Sequence, residues 1–213
     1  MPNYTHLIWD WNGTLLDDVN WCVACINKLL RSRSLAPLPD KAAYRRVFRF
    51  PIADYYRDVG FDFDRDPFPI LAAEYIAAYH RGDAAHCALY PQALPTLRAL
   101  AGLGVRQVIL SATRQDNLLA QVGRYPVIPY LDEVLGIRDI YGASKVDAGR
   151  AYAARAGAGR MLLVGDTAHD CETARAIGAD CALVAQGHQA RETLAACGVP
   201  VLDDVGQVPG LLL

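Results

Sequence analysis

Leu7-Ile8-Trp9-Asp10-Trp11-Asn12-Gly13-Thr14 is the stretch that decides the fold. An apolar run closed by a lone acid and a glycine reads as a short buried strand ending in a turn. Open α/β sheets hold their ligands at the carboxyl ends of their strands, so Asp10 stands where chemistry is done. Gly13 permits a sharp turn that brings main-chain amides close to a ligand.

Further along the chain, short apolar runs recur at Val105 to Leu110, Met161 to Val164, Cys181 to Val184 and Val199 to Leu202. Between them, Pro91 to Leu103, Gln115 to Val122, Lys145 to Ala156 and Thr167 to Ile177 read as helices. The alternation predicts an α/β fold, a doubly wound and mostly parallel sheet with a Rossmann-like core. Residues 17–88 read as helix almost throughout. Val19, Cys22, Val23, Ile26 and Leu30 share one helical face, Asp40 can cap a helix over Lys41 to Phe50, and another runs from Pro69 to Tyr79. A parallel crossover needs only about 12 residues, so this region is expected to be an inserted helical cap. The expected division is 1–16 with 89–213 as catalytic core and 17–88 as cap.

The 213 residues are 53% hydrophobic and 21% charged, with a net charge of -2. That balance argues against disorder and against a nucleic-acid surface, and it suits a small ligand. No apolar stretch approaches the roughly 20 residues of a membrane span, and the first ten residues carry no basic-then-apolar export signal, so a soluble cytoplasmic protein is expected. Oligomeric state is not readable. Six cysteines spread through a chain of this size favour reduced thiols, and the Cys22/Cys25 pair lacks the partners of a structural zinc site.

Four separated pieces fall at strand-to-helix edges. Asp10 closes the first strand, and Ser111 closes the next in Val108-Ile109-Leu110-Ser111-Ala112-Thr113. Lys145 follows Gly142-Ala143-Ser144, and Asp166 and Asp170 lie in Gly165-Asp166-Thr167-Ala168-His169-Asp170. Lys145 is one of three lysines against eighteen arginines, so a compact ammonium here looks selected for a point charge rather than for solubility. In this order the set resembles the haloacid dehalogenase superfamily, in its phosphoglycolate-phosphatase-like branch with a helical cap. The resemblance implies a phosphatase acting on a small phosphorylated metabolite through an aspartyl phosphate on Asp10. It implies Mg²⁺ held by the side chains of Asp10 and Asp166 and the main-chain oxygen of Asn12, with Asp170 orienting the metal's water or Lys145. Ser111 and the Ala112 amide would hold a phosphoryl oxygen, and Trp11, Asn12 and Lys145 complete the expected substrate-binding set.

Asn12 departs from that pattern, which places an acid two residues beyond the nucleophile to protonate the leaving oxygen. An amide donates a hydrogen bond but exchanges no proton. General acid-base help is worth about 10² to 10⁴ in rate, against a total acceleration of phosphate-monoester hydrolysis approaching ~10²¹, so its loss slows the reaction without abolishing its class. Asp17, Asp18 and His169 are candidate substitutes. The retained Asp166 and Asp170 argue for a metal and against dehalogenation. Two other readings stand: a phosphonate-cleaving hydrolase of the same superfamily, which needs a cap lysine from Lys28 or Lys41, and a phosphometabolite-binding protein with weakened catalysis. Arg45, Arg46 and Arg49 lie on the predicted second cap helix, where Arg45 and Arg49 share a face; arginine suits phosphate or carboxylate, but a solvated helix face is the favoured reading, and His188 after Gly187, on the ligand edge of the sheet, is favoured as a bystander. Mg²⁺ disfavours imidazole, so His169 is given no coordinating role.

Overall fold

The computed structural model describes residues 3–138, 145–157 and 159–212. Gly142 to Ser144, the lead-in to Lys145, lie outside the described residues.

In chain order the elements are β1 (His6–Trp9), β2 (Leu16–Asp17), α1 (Val19–Ser32), α2 (Lys41–Val47), α3 (Ile52–Asp58), α4 (Phe68–His86), β3 (Ala88–Leu89), α5 (Ala93–Gly102), β4 (Arg106–Arg114), α6 (Gln115–Val122), β5 (Glu133–Ile137), α7 (Val146–Ala156), β6 (Met161–Gly165), α8 (Ala168–Ile177), β7 (Asp180–Val184), α9 (Arg191–Ala195) and β8 (Val201–Leu202). Six strands form one sheet in the order β5-β4-β1-β6-β7-β8, and every pairing in it is parallel. β1 is central, with Trp9 opposite both Ile109 and Val164.

Strand alternation builds two cores from one sheet. Leu7 and Trp9 point to one face and pack with Leu97 and Leu100 of α5 and Leu118 and Val122 of α6. Ile8 points to the other and meets Tyr152 of α7 and Ala174 and Ile177 of α8. Burial on both faces explains why the β1 sequence is a continuous apolar run.

Helices α1 to α4 gather around a separate apolar cluster that includes Val19, Ile26, Leu30, Tyr44, Tyr56 and Leu71. Cys22 and Cys25 are buried in it as free thiols. β2 and β3, the two stretches that leave and rejoin the sheet domain, pair antiparallel with Asp17 opposite Ala88.

Several element bounds differ from the sequence reading. The helix expected to reach Phe50 stops at Val47, where Phe48 turns to extended backbone, and α3 then starts after Pro51. α4 continues two turns past Tyr79, through His80, Arg81, Gly82 and Asp83. Gly82 breaks the helical signal in the sequence, yet packing requires it: a Cβ there would lie 2.3 Å from the Trp21 ring of α1. β5 has no counterpart in the sequence reading. β4 runs on to Arg114, so Ser111 lies within the strand rather than at its end, at a shift of register against β5 between Leu110 and Arg114. Such irregularities re-aim side chains and recur beside active sites.

Candidate active site

Asp10, at the end of β1, and Asp166, at the end of β6, come side by side because their strands are neighbours. Lys145, just ahead of α7, reaches between them and α8. Its Nζ lies 2.5 Å from Asp10 Oδ1 and 2.5 Å from Asp170 Oδ1, and it also donates to the Leu110 carbonyl at 3.2 Å. All four side chains are buried. Burial alone would strip the proton from Lys145, but the carboxylates of Asp10 and Asp170 more than reverse this and raise its pKa, so the ammonium is retained. Burial, with the charges of Asp170 and Asp166 adding to it, pushes Asp10 up to about 8 against the pull of Lys145.

Asp170 is fully occupied. Its Oδ2 accepts from the Asp166 and Thr167 amides and from the Thr167 hydroxyl, at 3.2, 2.9 and 2.7 Å, while Oδ1 takes Lys145. These bonds and the ammonium hold its carboxyl below the usual range despite burial. Asp170 therefore fixes the position of Lys145. Asp166 accepts from the Thr14 hydroxyl at 3.1 Å and the His188 amide at 2.6 Å, and burial raises it to about 6. Three glycines make room for this set. A Cβ on Gly13 or Gly187 would come within 2.3 or 2.1 Å of Asp166 Oδ2, and one on Gly165 within 2.0 Å of Asp170 Cγ.

One oxygen each from Asp10, Asp166 and Asp170 lies within 4.8 Å of the others. Two of these carboxyls are shifted upward by burial and mutual repulsion, and the donor set is hard oxygen throughout. A divalent cation such as Mg²⁺ fits that chemistry. With Asp170 occupied, Asp10 and Asp166 are the side chains available to hold it.

Asn12 is committed at both ends. Its Nδ2 donates to Asp18 Oδ2 at 2.7 Å and to the Tyr79 hydroxyl at 3.0 Å, and its Oδ1 accepts from the Thr113 hydroxyl at 2.9 Å. Asp18 also accepts from the Gly13 amide at 3.1 Å and the Tyr79 hydroxyl at 2.7 Å, and it pairs with His188 Nε2 at 3.2 Å. Burial opposes charge on His188, yet the Asp18 carboxylate overrides it and lifts the imidazole to about 9, so the pair is ionic. His188 Nδ1 shares a hydrogen bond with the Tyr44 hydroxyl of α2 at 2.9 Å.

The expected residues Asp10, Asn12, Ser111, Ala112, Lys145, Asp166 and Asp170 all line one cavity of about 190 Å³. Ser111 accepts from the Thr113 amide and donates to the Thr113 hydroxyl, both at 3.2 Å. The Trp11 side chain does not line the cavity; it is buried in the sheet core against Tyr125. The arginines expected on the second cap helix also point elsewhere. Arg45 binds the Gly187 and Gln186 carbonyls, clamping cap to core, and Arg49 pairs with Asp58. Thr14, Asp18, Tyr79, Thr113 and His188 are the polar residues whose roles the sequence did not reveal. The second Asp of Asp17-Asp18, six residues past Asn12, was the available signal for that network.

This arrangement of a buried strand-end carboxylate, an ammonium, a second acid pair and an inserted helical unit defines a hydrolase class. The chain belongs to the haloacid dehalogenase-like hydrolase family, whose model it matches over residues 7–184. It is 30% identical to the phosphoglycolate phosphatase of Rhodospirillum rubrum over 93% of this chain and 86% of that protein. It is 27% identical to the phosphoglycolate phosphatase of Caulobacter vibrioides over 87% and 81%. A solved haloacid dehalogenase-like family hydrolase from Streptococcus pneumoniae, 17% identical, shares the fold over 98% of each chain with a TM-score of 0.81.

Proposed function

We propose that this chain hydrolyses the phosphate monoester of a small metabolite by transferring the phosphoryl group to Asp10. The observation that carries the reading is Lys145 held at 2.5 Å from both Asp10 and Asp170. That contact fixes the nucleophile and sets a positive charge beside the point where phosphoryl oxygens would gather. Ser111 and the Ala112 amide, on the irregular stretch of β4, would bind one of those oxygens. Asp10, Asp166 and the main-chain oxygen of Asn12 would hold Mg²⁺. When bound, the metal offsets repulsion between the carboxylate and the anionic ester. Water then cleaves the aspartyl phosphate.

Residues 17–88 act as the cap in this reading. They cover Asp10 with Tyr44, Tyr79 and the aromatic side chains of α3 and α4, excluding bulk water. The six unpaired cysteines support a reducing, cytoplasmic setting. The phosphonate alternative lacks its lysine: Lys28 is exposed on α1, and Lys41 lines a separate groove with Arg45 and Arg46.

The test is release of inorganic phosphate from a panel of metabolite monoesters, with Mg²⁺ and with excess chelator. Metal-dependent release from at least one ester is expected. Binding without release would replace this reading with that of a phosphometabolite-binding protein, and aldehyde formation from a phosphonate would replace it with the cleaving alternative.

A further inference from the structure

The cap side of the cavity is built for a different kind of molecule than the core side. Phe48, Phe50, Tyr55, Phe68, Tyr75 and Ile76 line it. Phe48 meets Tyr55 at 5.2 Å and Phe50 at 5.9 Å between ring centroids, and Phe50 stacks at 4.5 Å on His169 of α8. Among the described residues the cap contributes no Lys or Arg to the lining, and His80 is turned toward Asp83 at 3.3 Å. On the core side, Arg114 lines the cavity but is forked onto Asp116 at 2.6 and 2.5 Å, the His188 imidazolium is paired with Asp18 at 3.2 Å, and Lys145 is held by Asp10 and Asp170. A carboxylate carried on the substrate would thus be desolvated against aromatic rings with no cap cation to receive it, which is costly. An aromatic ring would find edge and face partners. The whole cavity, phosphoryl end included, is about 190 Å³, against about 150 Å³ for an apolar cavity that accepts benzene.

Asn12 supplies an independent constraint. It stands where a proton donor to the leaving oxygen is expected, it carries no transferable proton, and its amide is locked by Asp18, Tyr79 and Thr113. Asp18 is itself saturated and 1% exposed. A phenol ionises near ~10, several units more readily than water at ~15.7, which aliphatic alcohols resemble. A phenolate departs unassisted where an alkoxide does not.

From these two observations we infer that the substrate is an aryl phosphate monoester with an uncharged aromatic body, an assignment that rests on the phosphatase reading above. An Asp10 carboxylate oxygen forms a bond to phosphorus as the bond from phosphorus to the aryl oxygen breaks, and the electron pair leaves with the phenolate. Water then attacks phosphorus, the acyl phosphate bond breaks, and Asp10 is restored as carboxylate. The two protons of that water stay with the phosphate, which gives one up to the phenolate in solution.

The experiment compares kcat/KM of the Mg²⁺-supplied wild-type enzyme for phenyl phosphate, cyclohexylmethyl phosphate and 2-phosphoglycolate. Phenyl phosphate should lead the alkyl ester by about 10²-fold or more, the scale of missing general acid catalysis, and phosphoglycolate should rank last. Asn12→Asp should raise the ratio of kcat for the cyclohexylmethyl ester to kcat for phenyl phosphate at least about 10-fold. Phe50→Ala should raise KM for phenyl phosphate by a larger factor than KM for phosphoglycolate. Preference for phosphoglycolate, or equal gains from Asn12→Asp on both apolar esters, overturns the inference and leaves the phosphatase reading standing. No phosphate release from any of the three, or from the wider metabolite panel, overturns that reading as well.

Discussion

The two walls of the cavity obey opposite rules. On the core side nearly every polar atom is paired: Asp170 takes four donors, Lys145 three acceptors, and Asn12 is bonded at both ends of its amide. Charges there are held in place before any substrate arrives, which is how a site stabilises a developing charge without reorganising. On the cap side, aromatic rings meet one another at 5 to 6 Å and offer area and shape in place of charge. The division separates labour. In the proposed reaction the sheet edge would determine which bond is cleaved, and the insertion what is attached to it.

The contrast can be broken most severely at Asp10. Asp10→Asn keeps the size and burial of the side chain and removes the nucleophile, so kcat should fall by at least about 10⁴-fold while the thermal transition persists. Retained turnover would show that the core wall does not carry the chemistry. Lys145→Met should cost about 10² to 10³ in kcat, and it should also lower Tm, because Asp10 and Asp170 would face each other without a counter-charge.

A subtler change tests the packing behind the charges. In Gly187→Ala the new methyl would press on Asp166 Oδ2. The Mg²⁺ concentration for half-maximal activity should rise about 10- to 100-fold, the cost of disturbing a ligand's support. An unchanged metal requirement would remove Asp166 from the metal set.

The smallest expected effect lies at the joint between the two regions. Asp83 of α4 pairs with Arg124 at 2.9 Å and accepts from Gln121 of α6 at 3.1 Å, and despite burial these partners hold its carboxyl below the usual range. A depressed folded value stabilises above the unfolded pKa of ~3.9 and is lost as pH falls through the folded value. Wild type should therefore have a higher Tm than Asp83→Asn near neutrality, with the gap closing in acid. A gap independent of pH would mean that the joint is held by packing rather than by charge.

The core was far more legible in the sequence than the cap. β1, β6 and β7 are buried on both faces and appear as unbroken apolar runs. Asp10 and Asp166 directly follow β1 and β6, and Lys145 and Asp170 stand at the starts of α7 and α8, where position marks them. β5 escaped notice because its residues are only half-buried until Ile137, so no apolar run announces it. The last two turns of α4 were hidden by Gly82, whose purpose is visible only with Trp21 packed against it. His188 drew attention only as a loop residue, because its partners lie 170 and 144 positions away, Asp18 just ahead of α1 and Tyr44 on α2. The cap aromatics carry no such mark, because their facing a shared hollow is a property of tertiary geometry.

The β2–β3 ribbon has a consequence of its own. The chain departs for about 70 residues and returns to a point one hydrogen-bonded step away. With both ends stitched together, the entropic cost of a longer detour grows slowly, by about 0.6 kcal/mol per doubling of loop length. Such an attachment makes the insertion a replaceable cartridge: its helices can be lengthened, exchanged or relined without moving the strand that presents Asp10. New specificities could thus arise on an old reaction by changes confined to one side of a four-residue seam.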